Sequence, residues 1–288
     1  MPATFTSRIG VDVGYLLFPF AQHALIAGTL VAITCGLIGP FVVMRNMGFA
    51  VHGTSELAFT GAAAGLLIAN DAVVGAYLGS LVVAALIGLL GASQRERDSS
   101  IGVILAAGLG LGVLLLSFYQ GFASAATNIL FGDIFGVSDR QLLLLGVIGL
   151  GVIVTMGLLY RPLLFASIDP EVAAARGVRT RLLGVIFLFV LALTVAGAAQ
   201  IVGTLLVLSL AITPAASAQR LSSSPLVVAG LSILFALIAA DGGLLLSLVV
   251  GTIKPSVFVA GISFGLYLLA RLVGPFLSVR RRPAPSTI

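Results

Sequence analysis

A histidine and a glutamate stand four residues apart in the segment Val51-His52-Gly53-Thr54-Ser55-Glu56. On a helix that spacing puts both side chains on one face, about one turn apart. An imidazole nitrogen and a carboxylate oxygen so placed can share one divalent cation. The donor set suits Mn(II), Fe(II) or Zn(II), and with no cysteine nearby a soft copper site is disfavoured. The competing reading is a His–Glu hydrogen bond or ion pair that stabilises an interior helix face. Four more polar residues lie in otherwise apolar surroundings: Ser55 within the same segment, His23, Gln200, and Asp241 with Gly242 and Gly243 after it. Asp241 either lines a vestibule that attracts cations or breaks its helix. Gln200 and His23 read equally well as solvated groups.

Motifs for other chemistries are missing. A phosphate loop of the form G-x-x-x-x-G-K-[ST] needs a lysine, and the one lysine, Lys254, sits in Gly251-Thr252-Ile253-Lys254-Pro255. Neither histidine belongs to an H-E-x-x-H zinc-protease helix, and Ser55 has no histidine and carboxylate spaced to activate it. The chain therefore reads as no enzyme. Uphill movement of a cargo would have to draw on an ion gradient or on a separate ATPase.

The elements that position these residues follow from composition. Of 288 residues, 59% are hydrophobic and 9% charged, against roughly 25% charged in an average soluble domain. Mean hydropathy is +1.21. A water-soluble globular protein is excluded. Apolar runs of about 20 residues, each able to cross a hydrocarbon core as a helix, also exclude an outer-membrane barrel with its short alternating strands. Runs near 20–44, 49–69, 73–92, 101–119, 141–160, 182–199, 201–218, 226–249 and 256–275 predict an all-α polytopic membrane protein with about nine transmembrane helices. The uncharged stretch Leu182–Ala218 would rise about 55 Å as one helix, nearly twice the core thickness. It is divided at Gly197-Ala198-Ala199-Gln200. The stretch 226–249 is long enough to break at Asp241-Gly242-Gly243.

Ionisable groups inside such spans are costly and usually face a cavity or a partner, which makes His52, Glu56 and Asp241 functional candidates. Positive residues mark cytoplasmic loops. Placing Arg45, the Arg95–Arg97 loop, Arg161 through Arg181, Arg220 and the tail from Arg271 to Arg282 inside leaves only Arg8, Arg140 and Lys254 outside. The amino terminus is then outside and the carboxyl terminus cytoplasmic, as an odd number of spans requires. Residues 1–19 form an extracytoplasmic segment, 20–275 a single membrane domain and 276–288 a basic cytoplasmic tail. The net charge of +5 is scattered between apolar runs, so it reads as a topology signal and not as a nucleic-acid footprint. The lone Cys35 is lipid-facing or packed. Gly108, Gly110 and Gly112, and Gly146, Gly149 and Gly151, mark helix faces where neighbours approach closely.

Two segments on the cytoplasmic side either offer surfaces to a soluble partner or are simply solvated connecting loops. Pro214 in Thr213-Pro214-Ala215-Ala216-Ser217-Ala218-Gln219-Arg220-Leu221 redirects the chain into a short helix along the membrane surface. Asp169-Pro170-Glu171 begins another short helix, with Asp169 as cap and Gly177 at its end.

With these residues in view, the sequence resembles the membrane subunit of metal-ion ABC importers, the manganese/zinc/iron permease family, over roughly residues 20 to 275. The resemblance is carried by Gly39-Pro40-Phe41-Val42-Val43-Met44-Arg45 leading to Ser55 through Gly61, Asp98-Ser99-Ser100-Ile101-Gly102 and Leu130-Phe131-Gly132-Asp133-Ile134. Further along come Asp169-Pro170-Glu171 with Ala175-Arg176-Gly177, and Gln200-Ile201-Val202-Gly203-Thr204-Leu205-Leu206 running on to Thr213-Pro214-Ala215-Ala216.

The resemblance implies a type II-like ABC importer permease fold in the bacterial cytoplasmic membrane. It implies two copies of the permease, two cytoplasmic ATPase subunits that bind the ATP, and an extracytoplasmic metal-binding protein. Pro214, Ser217, Gln219, Arg220 and Leu221 would belong to the coupling region that docks in the ATPase. The cargo would be a divalent transition metal held transiently by His52 and Glu56 near the dimer axis, with Ser55, Gln200 and Asp241 lining its path. Where the family carries G-D-A-x-S-H, this chain has His52 in the aspartate position and Glu56 in the histidine position, and Thr60 replaces a proline before the matching Gly61. A carboxylate with one imidazole leans toward manganese ahead of zinc or iron. The alternatives are a permease for a metal chelate or cobalamin-like cargo, and a secondary metal transporter independent of ATP.

Overall fold

The computed structural model describes residues 19–90, 94–119, 128, 130–251 and 253–279. They form α1 (Pro19–Met44), α2 (Gly48–Ala69), α3 (Ala72–Leu90), α4 (Gln94–Ser117), a 3-10 turn (Ile134–Gly136) and α5 (Asp139–Ile168). The chain continues through α6 (Pro170–Ala175), α7 (Thr180–Val202), α8 (Val207–Ala211), α9 (Thr213–Leu221), α10 (Pro225–Val250) and α11 (Pro255–Val279). Six of these, α1, α3, α5, α7, α10 and α11, are long and apolar enough to cross a membrane. The expected segment 1–19 and tail 276–288 fall almost wholly outside the described residues, apart from α11 reaching Val279.

Long apolar helices satisfy their own backbone hydrogen bonds, which is what lipid demands of any segment crossing it. Their outer faces remain apolar. Leu143, Val147, Leu150, Val154 and Leu158 recur at three- and four-residue steps along α5 and are 50–76% exposed, a stripe that water would not tolerate over that length. The best-enclosed helices are α1 and α7, which carry core residues such as Ile38, Phe41, Phe187 and Leu191.

α2 and α3 form an antiparallel hairpin. Asn70, in the left-handed conformation at φ 53°, ends α2, and the Asp71 carboxylate accepts from Val73 and Val74 N–H at 3.1 Å each to begin α3. The two helices touch backbone to backbone. A Cβ on Gly61 would collide with the Gly75 carbonyl oxygen, and one on Gly75 with that of Gly61; Gly65 and Gly79 extend the same seam. Four-residue glycine spacing on both helices is the small-xxx-small pattern that lets membrane helices close to dispersion contact. On the other flank α2 meets α4 through Gly108, against Leu57, and Gly112, against Phe59 and Thr60.

The uncharged stretch after Thr180 departs from expectation in two ways. α7 runs through Gly197–Gln200 and ends only at Gly203, whose φ of 95° is open to glycine alone. The expected span 201–218 is not one helix. α8 and α9 replace it, because Gly203 turns the chain and Pro214 starts α9 afresh in its first turn. α9 is the expected short helix, and one side of it packs into the bundle. Its small residues let α1, α10 and α11 close around it, burying Pro214, Ala215, Ser217 and Ala218. α10, in contrast, passes unbroken through Asp241-Gly242-Gly243; Gly243 lies against Val259 of α11. With the α8–α9 pair, eight long helices make nine segments between the two ends of the bundle among the described residues.

The remaining corrections are local. Arg95 and Arg97 stand at the start of α4 and not in a loop. Among the described residues a Cβ at Gly110, Gly146 or Gly151 would meet nothing within 4 Å and one at Gly149 would touch Thr34 at 3.6 Å, so close packing holds at Gly108 and Gly112 but not at those three. Cys35 is packed, fully buried and free.

Candidate functional site

α2 brings His52 and Glu56 into the interior, about 6 and 12 Å along the helix from Gly48 at 1.5 Å per residue. Glu56 is 3% exposed and its Oε2 has no hydrogen-bond partner; Nδ1 of His52 is likewise buried and unpartnered. Every neighbouring hydroxyl is already engaged. Thr54 donates to the Ala50 carbonyl at 2.6 Å, Ser55 to the His52 carbonyl at 2.8 Å, and Thr60 across to the Gly108 carbonyl of α4 at 2.6 Å. Ser80 of α3 donates to the Thr54 carbonyl at 3.5 Å. α3 and α4 thus enclose this stretch of α2, with Ile101 against Gly53.

The imidazole and the carboxylate attract one another electrostatically, as in the ion-pair reading, but buried polar atoms without hydrogen bonds cost free energy, which makes the pair a candidate for binding. One turn apart, they can supply one oxygen and one nitrogen to a divalent ion. Among the described residues no three His, Cys, Asp or Glu side chains gather round a common point. A single copy therefore brings no more than this nitrogen–oxygen pair together, and not a closed structural cage.

The other sequence candidates fall apart in space. Ser55 is fully buried with its hydroxyl bound to its own helix. Asp241 lies on α10 against α1, where the Thr29 hydroxyl approaches its two carboxylate oxygens at 3.3 and 3.2 Å. Gln200 stands at the far end of α7, and its Oε1 accepts from Nε2 of Gln141 at 2.8 Å. His23 pairs with Asp139 at 3.3 Å, and Arg140 with Asp71 at 3.0 Å, at that same end. Of the α9 residues, Pro214 and Ser217 are enclosed, Gln219 donates to the Pro40 carbonyl at 3.4 Å, and Arg220 is exposed. Asp169 does cap α6, accepting from Val172 N–H at 3.0 Å, and Gly177 follows at φ 82°. Thr29, Gln141 and Thr204 carried no signal in the sequence, since each is an isolated polar residue in a run that reads as ordinary span or turn.

At the Gln200 end the chain is locked by two glycines set back to back. Gly132, φ 77°, and Gly203, φ 95°, each occupy the space where the other's Cβ would collide with backbone. Asp133 N–H donates to the Gln200 carbonyl at 3.3 Å, and Leu205 N–H to the Leu130 carbonyl at 3.4 Å. Ser256 fastens α11 to the Phe131 carbonyl at 2.8 Å.

A bundle of long apolar helices with lipid-type outer faces defines a multi-pass membrane protein. Residues 17–274 match the ABC 3 transport family, and the chain belongs to that family. It is 32% identical over 235 residues to the manganese transport system membrane protein MntC of Halalkalibacterium halodurans, covering 81% of this chain and 80% of that one. It is 30% identical to the high-affinity zinc uptake system membrane protein ZnuB of Haemophilus influenzae, covering 81% and 88%. Among solved structures, PsaBC of Streptococcus pneumoniae in complex with Fab superposes with a TM-score of 0.82 at 26% identity, over 93% of this chain and 98% of that one. An inward-facing structure described as a metal-chelate type ABC transporter shares the fold, with a TM-score of 0.67 at 18% identity.

Proposed function

We propose that this protein is the permease subunit of an ATP-driven importer that moves a divalent transition metal, manganese ahead of zinc or iron, into the cytoplasm. The observation that carries this reading is the buried His52–Glu56 pair, one nitrogen and one oxygen ligand left unpartnered inside apolar helices. Relatives named for manganese and zinc transport agree with it. A carboxylate with one imidazole favours manganese, because zinc sites more often recruit further histidines or thiolates. Two copies of the permease bring two such pairs toward a shared axis, two ATPase subunits bind and hydrolyse the ATP, and an extracytoplasmic protein delivers the metal.

The membrane is the bacterial plasma membrane. The amino terminus, with residues 1–19, faces outward; the tail, 276–288, faces the cytoplasm; residues 20–275 are the single membrane domain. Arg45, Arg161, Arg176, Arg179, Arg181 and Arg220 on one side of the helices, against Asp71, Asp133 and Asp139 on the other, support that orientation. Arg220, exposed at the end of α9, with Gln219 and Leu221 beside it, meets the ATPase; Pro214 and Ser217 transmit its motion from within the bundle. Ser55, Gln200 and Asp241 border the path of the ion.

The test is cellular metal content by mass spectrometry after co-expression with the cognate ATPase and binding protein, comparing wild type with His52→Ala and Glu56→Ala at matched membrane levels. A rise in manganese that both substitutions abolish is expected. Accumulation that persists in both variants would make the pair structural, and no rise with the wild type would overturn the importer reading.

A further inference from the structure

At the end of the bundle that gathers the basic residues, the α1–α2 turn and the ends of α3, α5 and α7 border a groove of about 700 Å³. Two guanidinium groups, Arg45 and Arg181, line it together with Asn46, Ser167 and Thr180. Among its described lining residues there is no carboxylate. Of the two acidic residues beside the lining Pro170, Asp169 is turned to α6, where it accepts from Val172 N–H at 3.0 Å, and Glu171 is exposed on α6. Arg45 is half-buried, and its guanidinium lies 5.5 Å from the centre of the Phe187 ring, which fixes where that charge sits. The Ser167 hydroxyl already donates to the Leu163 carbonyl at 2.6 Å, so the donors left to the groove are the two guanidiniums, the Asn46 amide and the Thr180 hydroxyl.

The rest of the lining is of a different kind. Ile87 and Leu89 of α3 and Val185 and Leu188 of α7 form an aliphatic wall, while Gly88 and Gly184 contribute no side chain to fill the space. Leu89 is 80% exposed and Leu182, next to Arg181, is 50% exposed, so the groove borders the lipid-type outer surface of two membrane-crossing helices. Positive hydrogen-bond donors on one side and aliphatic groups open to the bilayer on the other match an amphiphile with an anionic head. Guanidinium groups take phosphate oxygens in paired, charge-assisted hydrogen bonds, and basic pockets between membrane helices on the cytoplasmic side hold anionic head groups. A soluble phosphate would use the polar half alone, and an acidic protein segment would leave the aliphatic border uncovered.

We propose that this groove binds an anionic phospholipid, its phosphate between Arg45 and Arg181 and its acyl chains along the aliphatic wall of α3 and α7. Arg45 and Asn46 belong to the turn that leads into α2, and Thr180 and Arg181 begin α7. The bound lipid therefore fastens the near end of the helix that carries His52 and Glu56 to α7.

The experiment uses the purified permease in detergent, stripped of lipid, and adds dioleoylphosphatidylglycerol while following retained lipid by native mass spectrometry and the midpoint of thermal unfolding. Dioleoylphosphatidylcholine, with the same chains and no net charge, is expected to bind about tenfold more weakly. Arg45→Gln with Arg181→Gln is expected to weaken phosphatidylglycerol binding about tenfold or more, each basic group near an anionic head being worth about fivefold. Arg161→Gln with Arg176→Gln removes the same charge from the same end but outside the groove, and is expected to leave binding unchanged. Arg181→Gln alone, at an exposed position, keeps Arg45 on Phe187 and reads the site should the double variant fold poorly. Equal binding of the two lipids, equal loss in the two double variants, or full binding without Arg45 and Arg181 overturns the proposal. So does inorganic phosphate that raises the unfolding midpoint as far as phosphatidylglycerol does, since the groove would then serve a soluble anion. Loss of ATPase co-purification in the Arg45/Arg181 variant with lipid binding intact would give the groove to the protein partner and overturn it as well. None of these readouts depends on metal transport, so the lipid site and the importer reading stand or fall separately.

Discussion

His52 and Glu56 present the ligand types of the resembled family in exchanged order. Both positions face the same side of α2 and are one turn apart, so either order delivers one nitrogen and one oxygen to nearly the same point. The double substitution His52→Asp with Glu56→His is therefore expected to keep most of the metal uptake, whereas His52→Ala or Glu56→Ala alone lowers it about tenfold or more. Isotope uptake in cells separates the cases; a swap as damaging as the single alanines would mean that each ligand has its own fixed partner. This pair was legible in the sequence because a four-residue spacing is local. Thr29 on Asp241 and Gln141 on Gln200 were not, because those partners are 212 and 59 residues apart in the chain and nothing in either run marks them. The same holds for Thr204, whose significance is its enclosure and not its type.

Glycine content alone does not say which helix faces meet. Glycines at 108, 110 and 112 alternate around α4, so Gly108 and Gly112 face α2 while Gly110 points away with nothing within 4 Å. Contact between α2 and α3 runs instead through Gly61, Gly65, Gly75 and Gly79, where each helix presents glycines four apart. Gly61→Ala is expected to force the hairpin apart, because its Cβ meets the Gly75 carbonyl and no side chain can give way. Overpacking of this kind costs about 1–3 kcal/mol. Monodisperse yield after solubilisation and the midpoint of thermal unfolding should both fall for Gly61→Ala and stay at wild-type values for Gly110→Ala. Equal behaviour of the two would refute the backbone contact. The hairpin matters to the site, since α2 carries His52 and Glu56 and α3 encloses them.

For the whole molecule, apolar surface sets the environment and the distribution of charge supports the proposed orientation. Basic residues gather at the end that includes Arg45, whose guanidinium lies 5.5 Å from the centre of the Phe187 ring, and Arg220. Three aspartates with Arg140 and Lys254 occupy the other. Cys35 is buried and should not react with a membrane-impermeant maleimide, so the native background is clean. In intact cells Ser138→Cys, exposed at the aspartate end, is expected to be labelled from outside and Ser223→Cys, exposed beyond α9, to be labelled only after lysis. The reverse pattern would invert the proposed direction of transport.

Hydropathy by itself determined that this is a polytopic helical membrane protein, and located eight of its nine segments, because an apolar run long enough to cross a bilayer has few other ways to satisfy its backbone. Local spacing determined the His52–Glu56 pair and the cap at Asp169. Only the tertiary structure decided how α8 and α9 break the uncharged stretch: hydropathy is blind to a glycine at positive φ, whose conformation is set by the Gly132 backbone pressed against it. It also decided that α9 packs against α1, α10 and α11, and that Asp133, Gln141, Gln200 and Thr204 line one cavity. Those outcomes depend on which helices pack together, and packing between distant segments is a property of shape in three dimensions that no single window of sequence contains.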